Sequence, residues 1–517
     1  MANAQLFKSY RGNKLPMANT FNETGSAAYG FNTKDVLAQY AATGCLNATF
    51  YADAELQLQT LLDVCEKVEP RFIAKTAVYC RERGYMKDTS ALLTAILTMR
   101  GQEYLPITFN RVIGNGKMLR NFVQILRSGT VGRKSMGTKP KKLIQNWLNT
   151  APERDLLNAY IGSQPSLADV IKMVHPKPTE NWREAFFAWV IGKPYDWANL
   201  PPITQSYERY KNDMTSPVPD VPFQLLTALP LATEQWMAIA LNAGWQMLRM
   251  NLNTFTRHGV FADEQVITTL AEKLRDKQAI AKAKVFPYQL LAAYKAAANG
   301  LPRELSDALQ DALETSLSNV PEIIGKVVVC PDVSGSMSSA VTGGRGSATS
   351  SVRCIDVAAL VAAALMCKNS NTVVLPFEND VVKVDLNARD TVLTNAQKLA
   401  AIGGGGTNCS APLQQLNKNK VFADLVVFVS DNQSWMDAKR HGATAMMQEW
   451  EAFIQRNPKA KLVCVDIQPY GTTQAAERPD ILNVGGFSDA VFNIIAAFAA
   501  DQLSPEHWVG VIEETVL

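Results

Sequence analysis

Apolar residues recur every three to four positions through most of residues 34–322, which predicts one helix after another. Glu55–Val68 carries leucines and a cysteine on one helical stripe, and Pro70 and Gly84 mark the start and end of the next helix. Alternating strand patterns are nearly absent, and the connections are short. The pattern therefore predicts stacked helical hairpins, an α-solenoid with a long concave or ring-like surface.

Two other stretches interrupt this helical pattern. Residues 1–33 show no helical period and are predicted to form an extended arm. Lys193–Pro222 contains six prolines, which predicts an ordered loop with short helical turns.

From Pro321 onward, short and continuously apolar runs alternate with helical segments. The predicted strands are Lys326–Cys330, Asn371–Phe377, Val381–Leu386, Leu425–Val429 and Leu462–Ile467. The predicted helices are Cys354–Cys367, Thr391–Ala401 and Ser488–Ala500. This alternation predicts a parallel sheet covered on both faces, a doubly wound α/β domain over residues 323–517.

Composition narrows the class of protein. Hydrophobic residues make up 47% and charged residues 19% of the chain, which is typical of globular proteins rather than disordered or fibrous ones. The eight cysteines form no CxxC pair and the four histidines lie far apart, so no zinc-finger spacing is present. The longest apolar run, Val357–Cys367, is too short to span a bilayer. These features predict a cytoplasmic protein with reduced thiols and no membrane segment.

Charge is distributed unevenly. Residues 1–325 contain 36 Lys and Arg against 29 Asp and Glu, a net of +7, whereas residues 326–517 carry a net of −4. Within residues 101–150, nine basic residues face a single acidic one, Glu103. Such a local excess is the electrostatic pattern expected for a polyanion such as RNA, although acidic neighbours in space could also balance it.

Oxygen-bearing side chains follow the strands of the α/β half. Asp332, Ser334 and Ser336 come after the first strand, Thr407 lies in a Gly-rich loop, and Asp431 follows the strand Leu425–Val429. Ligands of doubly wound folds bind at the carboxyl ends of the strands. Two carboxylates and three hydroxyls suit Mg²⁺, or Ca²⁺ or Mn²⁺, with a position left open for a partner's carboxylate.

Enzymatic function is not expected from the motifs. The sequence has no P-loop and no GxSxG, and the motif after the first strand lacks the second aspartate that an aspartyl phosphatase needs. We therefore predict a binding protein rather than a nuclease or phosphatase.

The D-x-S-x-S motif at Asp332–Ser336, with Thr407 and Asp431, resembles the metal-ion-dependent adhesion site of von Willebrand factor A domains. Together with a helical first half, it is similar to the Ro autoantigen family, whose members join a TROVE module of HEAT-like helices, closed into a ring, to a von Willebrand A domain. Segments 132–147, 166–178 and 286–291 carry the resemblance in the helical half.

The resemblance implies an RNA-binding function. Ro proteins bind small non-coding Y RNAs on the outer basic surface of a monomeric ring, and misfolded RNAs whose single-stranded 3′ end threads the hole. Bacterial members work with exoribonucleases, notably polynucleotide phosphorylase. The predicted RNA contacts are Arg120, Arg127, Arg133, Lys134, Lys139, Lys141, Lys142, Lys172, His175 and Lys177.

His175 matches a family histidine implicated in RNA binding, although a lone histidine at a helix end can also be a cap or a buried residue. Animal members carry a Lys and an Arg on the helix ahead of it, where this sequence has Asn158 and Gly162. Contact in that patch would then come from other basic residues, such as Lys172 and Lys177.

One alternative function stays open. The chain could be an adaptor that captures an acidic residue of a partner protein at the metal site and has no RNA role. The basic window of residues 101–150 favours RNA, because such an adaptor would not need it.

Overall fold

A computed structural model of the 517-residue chain describes residues 15–43, 53–84, 86–283, 285, 287–297, 300–343, 351–436, 442–486, 490–503 and 507–517. The chain divides into two compact units. The sheet unit consists of residues 1–64, 280–296 and 309–511, and the helical unit of residues 65–279, 297–308 and 512–517. These units do not coincide with the predicted division at 1–33, 34–322 and 323–517.

Helices follow one another through the first part of the chain. They are α1 (Thr33–Thr43), α2 (Ala54–Lys67), α3 (Pro70–Glu82), α4 (Asp88–Arg100), α5 (Leu105–Val112), α6 (Gly116–Ser128), α7 (Thr138–Thr150), α8 (Glu153–Tyr160), α9 (Leu167–Val174), α10 (Asn181–Ile191), α11 (Pro202–Asn212), α12 (Phe223–Leu226), α13 (Thr233–Asn242), α14 (Trp245–Arg257), α15 (Glu264–Arg275), α16 (Lys277–Ala283), α17 (Pro287–Ala297) and α18 (Arg303–Ser316). Within the helical unit α3 packs against α4 and α5, α6 against α4 and α8, and α9 against α6, α7, α8 and α10. The predicted helical first part is confirmed.

The prediction for Lys193–Pro222 as a loop with short turns is wrong over its middle. Pro202 occupies the first turn of α11, where a missing N–H costs nothing, so the two prolines start a helix instead of preventing one. Thr204, Tyr207 and Tyr210 recur at helical spacing and are buried, which holds this polar helix in place.

The contact between α6 and α8 depends on a glycine. A Cβ at Gly116 would lie 2.2 Å from Ala159 Cβ and 2.6 Å from Ala159 N. We expect Gly116→Ala to destabilise the protein by about 1–3 kcal/mol, because backbone would have to move. Urea denaturation measures this loss. Gly244→Ala is the control, since a Cβ there meets no atom within 4 Å. Equal stabilities of the two variants would contradict the close contact.

The second part of the chain confirms the predicted doubly wound domain. The strands of the chain are β1 (Thr20–Phe21), β2 (Ala27–Gly30), β3 (Val327–Pro331), β4 (Thr372–Val374), β5 (Leu425–Ser430), β6 (Lys461–Asp466), β7 (Thr472–Thr473) and β8 (Ile481–Gly485). Five of them form a parallel sheet in the order β4-β3-β5-β6-β8. The later helices are α19 (Cys354–Lys368), α20 (Val392–Ala400), α21 (Ala411–Lys418), α22 (Ala445–Arg456), α23 (Ala490–Ala499) and α24 (His507–Glu513).

Both faces of this sheet are covered. Helix α19 packs against β3, β4, β5 and α20. Val328 and Phe428 share a core cluster with Leu413 of α21 and Trp450 of α22. Strands covered on both sides need apolar residues at every position, which explains the unbroken runs in the sequence.

One predicted strand is wrong and several elements were not predicted. Val381–Leu386 forms no strand and contributes only an isolated bridge between Val381 and Phe377. Its charged residues Lys383 and Asp385 are exposed, so the segment has no buried face to pair. Strand β8 and helices α21 and α22 were missed by the sequence analysis.

The N-terminal segment belongs to the sheet unit. Strands β1, β2 and β7 form a small antiparallel sheet, and α1 packs against β8. Gln39 Nε2 donates to Asn483 O at 3.1 Å, and Trp508 Nε1 donates to Ala38 O at 2.8 Å. The predicted arm is thus paired to the α/β domain over residues 20–30, while residues 1–14 lie outside the described residues.

Candidate functional site

The candidate metal centre lies at the carboxyl end of the parallel sheet. Asp332 directly follows β3, Asp431 directly follows β5, and Thr407 lies between α20 and α21. All five predicted ligands are buried: Asp332, Ser334, Ser336, Thr407 and Asp431. The structure brings these side chains to one place, and their role as ligands stays a prediction.

Hydrogen bonds link the predicted ligands directly. Thr407 Oγ1 donates to Ser334 Oγ at 3.0 Å, and the hydroxyls of Ser334 and Ser336 lie 3.4 Å apart. Asp332 accepts at both oxygens, from Ser334 N at 2.8 Å and from Ser430 Oγ at 2.6 Å. The hydroxyl and carboxylate oxygens therefore converge on a shared, buried position.

The Gly-rich loop positions Thr407 through its backbone. Gly335 N donates to Gly405 O at 3.1 Å, and Gly404 N donates to Val333 O at 3.1 Å. Gly404 and Gly405 have φ values of +132° and +66°, which favour glycine. A Cβ at Gly405 would also lie 2.4 Å from Glu378 Oε2. The glycines are therefore required for this loop to reach the end of β3.

The two carboxylates of the site are held in a setting that disfavours their charge. Burial, with the nearby charge of Asp431, raises the pKa of Asp332 to about 7. Burial also raises the pKa of Asp431, which accepts from Gln433 N at 3.2 Å. A divalent cation between them would remove this repulsion.

A third buried carboxylate, Asp466, was missed by the sequence analysis. It ends β6 and pairs in register with Ser430, the residue before Asp431. Only 4% of Asp466 is exposed. Burial and the charge of Asp431 raise its pKa well above the ordinary value. An acidic residue directly after an apolar run of four residues was the available signal.

The donor set fits a hard divalent cation. Two carboxylates and three hydroxyls are oxygen ligands of the kind that Mg²⁺ prefers. Across the residues that the structure describes, no three His, Cys, Asp or Glu side chains converge as a metal site. A cation at this place would therefore depend on the hydroxyls of Ser334, Ser336 and Thr407.

The ten predicted RNA contacts all belong to the helical unit. Six are exposed: Arg127, Lys134, Lys142, Lys172, His175 and Lys177. Four are half-buried: Arg120, Arg133, Lys139 and Lys141. The exposed group is available to a phosphate backbone, whereas some of the half-buried group have structural contacts.

Arg127 and Lys172 lie close together across α6 and α9. Arg127 Nη1 donates to Met173 Sδ at 2.7 Å. Hydrogen bonds from Ser166 lower the pKa of Asp169, and the charges of Lys172 and Arg127 lower it further. Both cations therefore surround one exposed carboxylate at the start of α9.

His175 ends α9 in the left-handed conformation, with φ of +51°. Its backbone N donates to Ile171 O at 2.9 Å, and Gln145 Nε2 of α7 donates to Val174 O at 2.5 Å. The histidine caps the helix through its backbone, and its side chain is exposed rather than buried. The imidazole is thus free of a core-packing role.

Gly162 lies under the guanidinium of Arg120. A Cβ at Gly162 would lie 2.4 Å from Arg120 Nη1, which donates to Pro165 O at 3.3 Å. Burial lowers the pKa of Arg120. Arg120 therefore places a positive charge at the position where Gly162 lacks one.

Arg133 and Lys139 hold the segment before α7 against the end of α4. Arg133 Nη1 donates to Thr98 O at 3.4 Å, and Lys139 Nζ donates to Gln102 O. Of the other residues in the basic window, Arg111 forms an ion pair with Glu82 at 2.7 Å. Some basic residues of the window therefore form contacts within the protein and are less available to RNA.

Comparison with known proteins shows that the chain is similar to Ro proteins. Residues 326–499 match the model of the Ro60 von Willebrand A domain. The chain is 22% identical over 522 residues to a protein of Deinococcus radiodurans named RNA-binding protein RO60, covering 93% of this chain and 95% of that one. The crystal structure of the Deinococcus radiodurans RO (RSR) protein superposes with a TM-score of 0.63 at 19% identity, covering 91% of this chain and 100% of that one. Residues 326–499 thus resemble the Ro60 von Willebrand A domain, and the chain is similar to a protein named RO60 over nearly its whole length.

Similarity to Ro proteins extends to animals over a shorter range. A Caenorhabditis elegans protein, also named RNA-binding protein RO60, is 20% identical over 251 residues, which are 47% of this chain and 38% of that protein. Within the described part of the chain, no helix is long and apolar enough to cross a bilayer.

Proposed function

We propose that this chain binds RNA through the exposed cations of its helical unit. The observation that carries the proposal is the convergence of two exposed cations, Arg127 and Lys172, on the start of α9, the helix that the exposed His175 follows. Relatives from Deinococcus and Caenorhabditis carry the name RNA-binding protein, which supports the same function.

The cations would contact phosphates rather than base edges. Lysine and arginine side chains release counterions from the RNA backbone, so binding is sensitive to salt and tolerant of sequence. Selection would then follow RNA shape and the presence of an unpaired end.

The finer proposal follows the family resemblance. The ligands would be a small structured Y RNA-like molecule on the basic surface and misfolded RNAs whose single-stranded 3′ end enters a ring formed by one chain. An exoribonuclease such as polynucleotide phosphorylase would process the RNA in the cytoplasm. The chain itself would act as a scaffold and carry no catalytic step.

We further propose that the buried oxygen cluster holds Mg²⁺, with Ca²⁺ or Mn²⁺ as substitutes. Asp332, Ser334, Ser336, Thr407 and Asp431 would hold the ion. When bound, the ion would supply an electrophilic position for a carboxylate of a partner protein.

A second candidate function is the metal-dependent adaptor without an RNA role. The exposed side chains of Trp435 and Met436 favour it, because their backbone N–H groups donate to Thr407 O at 3.1 Å and 3.2 Å. An apolar surface fixed to the metal loop would suit a protein partner.

Purification of the chain from its own cells tests which function holds. We expect a small structured RNA with an unpaired 3′ end to co-purify at moderate salt and to be lost above about 0.5 M salt. Sequencing the bound RNA measures the enrichment against a mock purification. An absence of RNA, with a protein partner that EDTA releases, would support the adaptor instead.

A further inference from the structure

Three aromatic rings of the helical unit are exposed on neighbouring elements. Tyr160 at the end of α8 is 37% exposed, and Tyr195 and Trp197 in the segment before α11 are 37% and 39% exposed. Other rings of this unit, such as Phe122 and Phe186, are fully buried. Exposed rings lose the stabilisation that burial would give, so their grouping needs a reason.

Tyr160 is held rigidly at the surface. Its ring packs against that of Trp189 at 4.7 Å between centroids, and Trp189 packs against buried Phe186 at 5.4 Å. Trp189 Nε1 donates to Glu208 Oε1 of α11 at 3.1 Å. The exposed ring is therefore the outer end of an aromatic stack rooted in the core.

Trp197 is also fixed before any ligand arrives. Asp196 caps its short 3₁₀ turn by accepting from Ala198 N at 3.0 Å, and Gln205 Nε2 donates to Trp197 O at 3.1 Å. The Arg209 guanidinium lies 5.8 Å from the centroid of the Trp197 ring. The main chain that carries the ring is therefore ordered, which reduces the entropy lost on binding.

Helix α11 connects the two rings. Gln205, Glu208 and Arg209 are spaced three and four residues apart, so they share one helical face. Glu208 contacts the stack that ends in Tyr160, while Gln205 and Arg209 contact Trp197. The two rings therefore border the same surface of the helical unit.

This surface continues into the predicted RNA contacts. Tyr160 precedes Gly162 by two residues, and the Arg120 guanidinium lies over Gly162. The Tyr160 ring therefore lies within two residues, along the chain, of the glycine that Arg120 covers.

We propose that Tyr160, Trp197 and Arg209 form a stacking platform for unpaired bases of RNA, an inference that rests on the proposed RNA-binding function. Stacking on aromatic rings is the usual way in which proteins hold single strands without reading sequence. A guanidinium beside an indole adds a second flat surface for a base.

Charge separates this platform from the phosphate contacts. Residues 193–212 contain Lys193, Arg209 and Lys211 against Asp196 and Glu208, a net charge of only +1. Glu208 is also paired with Lys211 at 2.7 Å. Affinity here would come from stacking, which depends little on salt.

The test measures binding of Trp197→Ala and Tyr160→Ala proteins to one hairpin RNA with and without a single-stranded 3′ tail. Each variant is expected to lose about 5- to 100-fold in affinity for the tailed RNA, with an unchanged salt slope and unchanged binding of the blunt RNA. Trp197→Phe should retain most of the affinity. Phe422→Ala, which removes a ring 64% exposed in the sheet unit, is the matched control and should bind as the wild type does.

The outcomes separate the two proposals. Wild-type protein that binds neither RNA would overturn the RNA-binding function and the platform together. Wild-type binding with unchanged variants, or an equal loss for tailed and blunt RNA, would overturn only the platform. As a check that does not depend on an alanine variant folding, tailed RNA should quench the tryptophan fluorescence of the wild type more than that of Trp197→Phe. Equal quenching would also overturn the platform.

Discussion

Replacing Lys142, Lys172 and Lys177 together with alanine is expected to weaken RNA binding about 10- to 100-fold at moderate salt. All three side chains are exposed, so their removal should leave the fold intact. Each lost phosphate contact should reduce the slope of log affinity against log salt by about 1, a total of about 3. Fluorescence anisotropy at four or more salt concentrations measures both quantities.

A control variant that loses the same number of charges elsewhere separates the effect of where the lysines lie from the effect of net charge. Lys277, Lys282 and Lys418 are also exposed, and their triple alanine variant should keep nearly the wild-type affinity and slope. Equal losses in the two triple variants would show that only overall charge matters. Unchanged affinity in the first variant would remove these residues from the interface.

The second large effect is expected at Asp332. Mg²⁺ at about 100 times its Kd should stabilise the wild-type protein by about 2.7 kcal/mol, and Asp332→Asn should abolish this gain. Without a cation, the variant should be at least as stable as the wild type, because it removes one of three buried carboxylates. Thermal unfolding with and without Mg²⁺ measures both effects.

The matched control is Asp385→Asn, which removes an exposed carboxylate from the same unit. It should respond to Mg²⁺ as the wild type does. RNA affinity should be unchanged in both variants, since the predicted RNA contacts lie in the other unit. A cation response that survives in Asp332→Asn would refute the assignment of the site.

The strands that carry the candidate metal site were predictable because burial on both faces leaves an unambiguous apolar run. The runs at β3, β5 and β6 place Asp332 and Asp431 at one end of the sheet without any knowledge of the structure. Asp466 was missed because its importance depends on strand register, which sets it beside Ser430, and register is not visible in a single sequence.

Other features depended on contacts between distant segments. The pairing of β2 with β7 joins the N-terminal arm to the α/β domain. No local sequence pattern predicts this pairing. Similarly, the prolines of Lys193–Pro222 predicted a loop, whereas buried contacts of Tyr207 and Tyr210 stabilise a helix there. The exposed position of Trp197 follows from this helix and could not be read from the sequence.

The basic residues of positions 101–150 also show what a sequence alone does not reveal. Sequence alone identified an excess of cations, but not which of them serve the fold. Arg111 pairs with Glu82 and Lys139 holds Gln102 O, whereas Lys142 and Lys172 are exposed. The exposed basic residues are therefore the ones that we expect to contact RNA.

The most direct test of RNA binding is a salt titration of the wild-type chain with one structured RNA, in a version with a single-stranded 3′ tail and a blunt version. With five exposed lysines and arginines in contact, we predict a log–log slope of about −3.5 for the tailed RNA and weaker binding of the blunt one. Binding that is independent of salt, or no binding to either RNA at moderate salt, would contradict it.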